Sequence, residues 1–205
     1  MRAIKKSGVR ILRPNEYDKL LDTIERQKTK YKYREIINAL LYTGMRYVEL
    51  MRFHEHDTTH KDDRWFDKKA MVIYLPPEAS RKEKRTMKER YVYLSSQGVI
   101  HVENFLLYVD KLPSRDSLNM MLRFWGRKAG LGNISVKTFR KTWESWLVAS
   151  YPTLIPLIAM SQGHTEITAM KHYLNLPFTK EDLEEIRIRT AGWSGARAVA
   201  LMDEG

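Results

Sequence analysis

Val136-Lys137-Thr138-Phe139-Arg140-Lys141-Thr142-Trp143-Glu144-Ser145-Trp146 is the stretch on which the fold turns. Set on an α-helix at about 100° per residue, Lys137, Arg140, Lys141 and Glu144 fall within about 100° of one another. Phe139, Trp143 and Trp146 cluster on the opposite side. The aromatic face suits a core, and the mainly cationic face is left either for solvent or for a charged partner. Ser135 directly precedes the helix, where a cap belongs.

Outward from this helix, most of the chain carries helical punctuation. Upstream, Arg13-Pro14-Asn15-Glu16 starts a helix with the apolar stripe Tyr17, Leu20, Leu21 and Ile24. A second helix is expected over Tyr31 to Thr43, broken by Gly44, with a short helix resuming at about Arg46. His54 to Asp63 is polar and reads as a loop. Met71-Val72-Ile73-Tyr74-Leu75 and Arg90-Tyr91-Val92-Tyr93-Leu94 are β-branched and aromatic, so they read as strands. Between them lies the basic run Arg81-Lys82-Glu83-Lys84-Arg85, which predicts a small antiparallel sheet with a charged hairpin. From Val99 onward the pattern is helical, interrupted at 112–114, 130–135, 151–153 and 177–179. Thr179, three residues before Asp182, begins the last helix as a capping pair. The expected fold class is therefore mainly α with a small antiparallel β-sheet.

Composition narrows the partners. The chain of 205 residues suits one or at most two domains, and 43% hydrophobic residues can build a core. Lys and Arg number 36 against 25 Asp and Glu, a net charge of +11 that favours a polyanionic partner. There is no cysteine, which excludes disulfides and thiolate metal sites and fits a cytoplasmic location. No apolar run reaches membrane-spanning length, and the basic start MRAIKKSGVRIL lacks the apolar core of a signal peptide.

Taken together, four short elements resemble one family. Gly44-Met45-Arg46-Tyr47-Val48-Glu49-Leu50 looks like the first box of the tyrosine recombinases, the phage-integrase-like enzymes, with its Gly-x-Arg-x-x-Glu-Leu pattern. Lys137-Thr138-Phe139-Arg140 looks like their second box, usually His-x-x-Arg. Gly163-His164 matches their Leu-Gly-His element, and Tyr173 follows that histidine by the family's usual interval. Each element alone is common. Their order and spacing across about 130 residues make them specific together. The lysine at 137 departs from the usual histidine and resembles the integrases of archaeal viruses and plasmids.

The resemblance implies a tyrosine recombinase (DNA breaking-rejoining) catalytic domain spanning 1–205. Its core would run over about 12–178, with a helical tail over 179–205. The clamp-like core-binding domain that usually precedes the catalytic one is expected to be absent, because the chain begins almost at the first catalytic helix. That would make it either a fragment or a minimal protein. The implied chemistry is attack by Tyr173 on double-stranded DNA, giving a 3′-phosphotyrosyl link and a free 5′-hydroxyl, with no cofactor and no metal. Arg46 and Arg140 would grip the phosphate. His164 would donate a hydrogen bond to it, and Lys137 would act as donor or proton shuttle. Glu49 would orient Arg46. The family's general acid is a hairpin lysine. Lys82, Lys84 and Lys88 compete for that role; lining up the following strand brings the position to Lys84 or Arg85, of which Lys84 is chosen. Arg81, Lys82, Arg85, Lys88 and Lys141 would touch DNA. A homotetramer on two duplexes is implied as well. Two other readings are a type IB topoisomerase-like nicking-closing enzyme and a DNA-binding module that has lost catalysis.

Three features stand outside that set. His54, His56 and His60 with Asp57 and Asp62 could be a metal cluster, but their spacing fits no tight zinc pattern and a solvated loop is the simpler reading. His172 could polarise Tyr173 or be structural. Trp193 and the apolar positions Ala196, Val199, Leu201 and Met202 could dock on a neighbouring protomer or pack on the chain's own core.

Overall fold

The computed structural model describes residues 3–6, 8–26, 32–79, 89–164 and 176–196. A short antiparallel hairpin opens it, β1 (Ile4–Lys6) with β2 (Val9–Ile11). Helices α1 (Pro14–Glu25), α2 (Tyr33–Thr43) and α3 (Tyr47–Thr59) follow. A three-stranded antiparallel sheet comes next, β3 (Phe66–Asp67), β4 (Val72–Leu75) and β5 (Arg90–Tyr93), in that order. The remainder is helical: α4 (Ser96–Tyr108), α5 (Arg115–Lys128), α6 (Val136–Ser150), a 3-10 turn at Pro152–Leu154, α7 (Ile155–Ser161) and α8 (Lys180–Thr190). The architecture is the mainly α fold with small antiparallel sheets expected from the sequence.

Helix α6 is the hub. It packs against α2, β2, α5, α7 and α8. Phe139, Trp143 and Trp146 are fully buried, each contributing on the order of 4–6 kcal/mol of apolar burial as an upper estimate. Trp146 meets Tyr17 edge-on with centroids 6.1 Å apart, and Trp143 tilts against Tyr42 at 5.4 Å. The Trp146 Nε1–H donates to the Leu12 carbonyl at 3.1 Å, and Thr142 Oγ1 accepts from Leu12 N at 3.0 Å. These bonds hold the end of β2 on α6. The opposite side of α6 is less solvated than its charges suggest, since Glu144 and Ser145 are also buried.

The caps follow local chemistry. Thr179 Oγ1 accepts from Asp182 N at 3.1 Å while Asp182 Oδ2 accepts from Thr179 N at 2.9 Å, a reciprocal box. Ser95 and Ser114 cap α4 and α5 through their hydroxyls.

Three expectations are corrected. The helix after Gly44 is not short, and 54–59 is not a loop: α3 runs to Thr59. The reason is tertiary. His54 is buried with Nε2 2.6 Å from the Val109 carbonyl, and buried Asp57 accepts from the N–H groups of Trp65 and Phe66 at 2.9 and 3.1 Å. Met71 does not belong to the strand either. Its φ of 57° is left-handed, and β4 begins one residue later.

Trp193 packs on its own chain. It is fully buried, donates from Nε1 to the Tyr93 carbonyl at 2.9 Å, and contacts the rings of Tyr93 and Tyr151. Val199, Leu201 and Met202 lie outside the described residues. Among the described residues no helix is long and apolar enough to cross a membrane.

Candidate functional site

Two turns approach each other at one end of α6. The first is 44–46, between α2 and α3. Gly44 closes α2 in the left-handed region at φ 60°, and a Cβ there would stand 2.4 Å from Gln162 Oε1. The left-handed backbone favours glycine here, and a Cβ would also push against the side-chain amide of the buried Gln162. That second turn is 162–164, beyond α7. Gly163, at φ 63°, donates to Met160 O, and His164 N donates to Ala159 O at 2.9 Å.

Both predicted arginines rest on these turns. Arg46 is the residue before α3, and its backbone N–H donates to Glu49 Oε2 at 2.8 Å while Nη1 donates to Glu49 Oε1 at 2.7 Å. Arg46 Nη2 reaches the Gly163 carbonyl at 3.4 Å. From α6, Arg140 Nη1 donates to the Gly44 carbonyl at 3.1 Å, and Nη2 donates to the Gln162 carbonyl. Arg140 Nε and His164 Nε2 lie 3.0 and 2.7 Å from the same oxygen of Glu144. Arg46, Arg140 and His164 are therefore brought together, with side chains 24%, 12% and 29% exposed.

Two members of the cluster escaped the sequence reading. Arg90, at the start of β5, is buried and donates through Nη1 and Nη2 to both oxygens of Glu49 at 3.2 and 2.8 Å, and through Nε to the Ser161 carbonyl at 3.0 Å. The strand alternation held the signal, because Arg90 shares the inward parity of Val92. Glu144 is the other, one α-helical turn beyond Arg140 and fully enclosed.

Electrostatics follow from this crowding. Burial alone would raise the Glu49 carboxyl, but the charge and hydrogen bonds of Arg90, then Arg46 and Arg140, hold it down at about 2. It is a carboxylate at any physiological pH. Burial pushes the Arg140 guanidinium down to about 10, against the opposing pull of Glu144, which still leaves it charged at neutral pH. Three guanidiniums face two carboxylates, so the cluster suits an anion and would repel a cation. Its partly exposed donors can grip a phosphate without losing a proton.

The remaining predicted residues divide. Lys137 is exposed at the start of α6, three residues before Arg140 and so on the same face. Lys141 lies on that helix and is half-buried. Tyr173, His172, Lys84, Arg81, Lys82, Arg85 and Lys88 lie outside the described residues. Leu75 pairs with Arg90 across β4 and β5, the last pair of that ladder among the described residues. His56 stacks on Trp65 at 4.1 Å and on His60 at 4.7 Å, away from the arginines in sequence and in contacts. Among the described residues no group of three or more His, Cys, Asp or Glu side chains is placed to hold a metal ion.

Residues 10–180 match the phage integrase family. Among solved structures, the chain is similar to XerA recombinase, with 19% identity, a TM-score of 0.55, and 87% of this chain matched to 64% of that one. It is also similar to the Tn1549 transposon integrase solved in complex with circular intermediate DNA, with 17% identity and a TM-score of 0.60 over 88% of this chain and 67% of that one. XerH site-specific recombinase bound to difH substrate gives 20% identity and a TM-score of 0.55 over 85% of this chain and 52% of that one. The chain thus spans about half to two thirds of the length of these proteins. At such identities the likeness shows the fold. No curated protein sequence matches it.

Proposed function

The chain belongs to the phage integrase family, the tyrosine recombinases, and from that membership we propose that it cuts and rejoins double-stranded DNA as a site-specific recombinase. Tyr173 is the nucleophile. Its phenolic oxygen bonds to phosphorus, the 5′-oxygen departs, and a 3′-phosphotyrosyl link stores the phosphodiester energy until a 5′-hydroxyl attacks back. Phosphate negative charge grows in the transition state, and Arg46 and Arg140 meet it with donors that stay protonated. His164 donates to the same phosphate. Lys137 serves as a further donor or proton shuttle. Lys84 protonates the leaving 5′-oxygen, and Arg81, Lys82, Arg85, Lys88 and Lys141 contact the DNA. Two duplexes and four protomers make up the full reaction. The Lys137-x-x-Arg140 spelling carries the reading toward integrases of archaeal viruses and plasmids.

The observation that carries this reading is the meeting of Arg46, Arg140 and His164 on one pair of turns. It is supported by the likeness to XerH and Tn1549 integrase, both solved with DNA. A nicked suicide duplex tests it. Wild-type protein should accumulate a covalent adduct, and Tyr173→Phe should form none. Arg46→Ala and Arg140→Ala should lose cleavage while still binding duplex. An adduct that survives in Tyr173→Phe refutes the assignment. Rejoining confined to the cut duplex, with no exchange between duplexes, would turn the reading toward nicking and closing.

A further inference from the structure

Arg90 sends bonds in two directions from inside the protein. Its side chain is 6% exposed. The fork of Nη1 and Nη2 fixes both oxygens of Glu49, the carboxylate that grips Arg46 through its backbone and its guanidinium. Its Nε fixes the Ser161 carbonyl at 3.0 Å. Ser161 ends α7, one residue before the carbonyl that receives Arg140 and three before His164. A guanidinium is planar and rigid, so one side chain sets the spacing between the Glu49 carboxylate and the end of α7. Arg90 also begins the strand that follows the hairpin lysines in sequence.

Stability alone does not explain why a charged pair stands here. Apolar side chains at both 49 and 90 would pack at no desolvation cost, and a buried ion pair commonly gains nothing over such packing, although removing Arg90 alone leaves Glu49 buried without its strongest partner. What the fork supplies is geometry.

We propose that Arg90 is a positioning residue for DNA cleavage, fixing the Glu49 carboxylate against Arg46 and keeping the Ser161–His164 turn in register with Arg140. It touches no substrate. The proposal rests on reading Arg46, Arg140 and His164 as the phosphate cradle. The charged groups facing Glu49 are Arg90, Arg46 and Arg140, with Arg90 the strongest. Without Arg90, burial acts on Glu49 against the weaker countercharges that remain, Arg46 and Arg140 among the described residues, and its carboxyl rises. Once protonated it no longer clamps Arg46, so the variant's cleavage falls further behind the wild type as pH drops.

The test uses the full chain, a suicide duplex and single-turnover cleavage from about pH 5 to pH 8, read as the ratio of variant to wild-type rate at each pH so that titrations common to both proteins cancel. Arg90→Met should lower the maximal cleavage rate by roughly 100-fold, the scale of a displacement of about 1 Å at a reacting centre. Duplex affinity should stay within about threefold, and the ratio of variant to wild-type rate should fall as pH drops. Arg90→Lys restores the charge but not the fork. It should recover the wild-type pH profile and only part of the rate. Wild-type rate and profile in Arg90→Met would overturn the proposal, as would a loss confined to duplex affinity. If Arg90→Met does not fold, Arg90→Lys decides alone, and full activity there overturns the forked geometry. Carbon-13 titration of the Glu49 carboxyl needs no DNA. An upward shift in Arg90→Met is expected, and an unmoved titration overturns the proposal. A wild-type protein that forms no adduct while that titration shifts would instead condemn the recombinase reading.

Discussion

Replacing Glu49 with glutamine tests whether the carboxylate at the centre of the cluster is as strongly held as its contacts imply. The folded carboxyl sits at about 2 against an ordinary 4.5. That difference corresponds to about 3 kcal/mol favouring the ionised form in the folded chain, at roughly 1.4 kcal/mol per unit. Glutamine removes the charge and also presents an NH2 group to guanidiniums that only donate. Removing one member of a buried pair typically costs about 3–5 kcal/mol, so Glu49→Gln should lose at least about 3 kcal/mol at neutral pH. Urea unfolding of both proteins, extrapolated to water, measures this. The pH dependence is the sharper part. A folded carboxyl held below its unfolded value contributes fully above about pH 4.5, and that contribution disappears as pH falls toward 2. Many carboxylates titrate in that window, but the difference between wild type and variant isolates Glu49. A difference below about 1 kcal/mol at pH 7, or one that does not shrink on acidification, would refute the network.

Other consequences are independent of that pair. Gly44→Ala forces a side chain into φ 60° and against the buried Gln162 amide, so it should cost at least about 1 kcal/mol and slow cleavage by disturbing the carbonyl that receives Arg140. A variant equal to wild type in both would show that the turns can separate freely. His101 stacks on Tyr42 at 4.5 Å, and burial, with Arg34 and Arg189, lowers its imidazole to about 4 from 6.5. The unfolded chain then binds more protons between those values, so stability should fall as pH drops through that window, by up to about 3 kcal/mol. His101→Phe keeps the stacking and should lose this slope in acid unfolding curves; an unchanged slope would contradict the assignment. Trp193→Ala empties a fully buried site and breaks the bond to Tyr93 O, which should lower stability by about 3–5 kcal/mol in urea unfolding. A small effect there would mean that the last described segment is not part of the core.

The candidate site was half legible in the sequence. Arg46, Arg140, His164 and Glu49 stand in recognisable spacings, and the structure brings them together. Arg90 and Glu144 were passed over because neither has a telling local pattern: one sits in an ordinary alternating strand, the other among the charges of an amphipathic helix. Each becomes significant through partners distant in the chain, Glu49 and Ser161 for Arg90, His164 for Glu144.

The sequence by itself determined the start of α1 at Pro14, the box that begins α8, the stop at Gly44, strands β4 and β5, and the aromatic face of α6. Those signals act within one helical turn or one strand repeat, where side-chain periodicity and capping are decided by neighbours. Tertiary structure alone decided that 54–59 stays helical, that Trp193 turns inward, and that two arginines share one carboxylate. A polar stretch such as His54 to Thr59 remains a helix only because Val109, Trp65 and Phe66 supply partners from elsewhere. Burial of a charge is favourable only after the fold has delivered its countercharge, and no local pattern can announce that delivery.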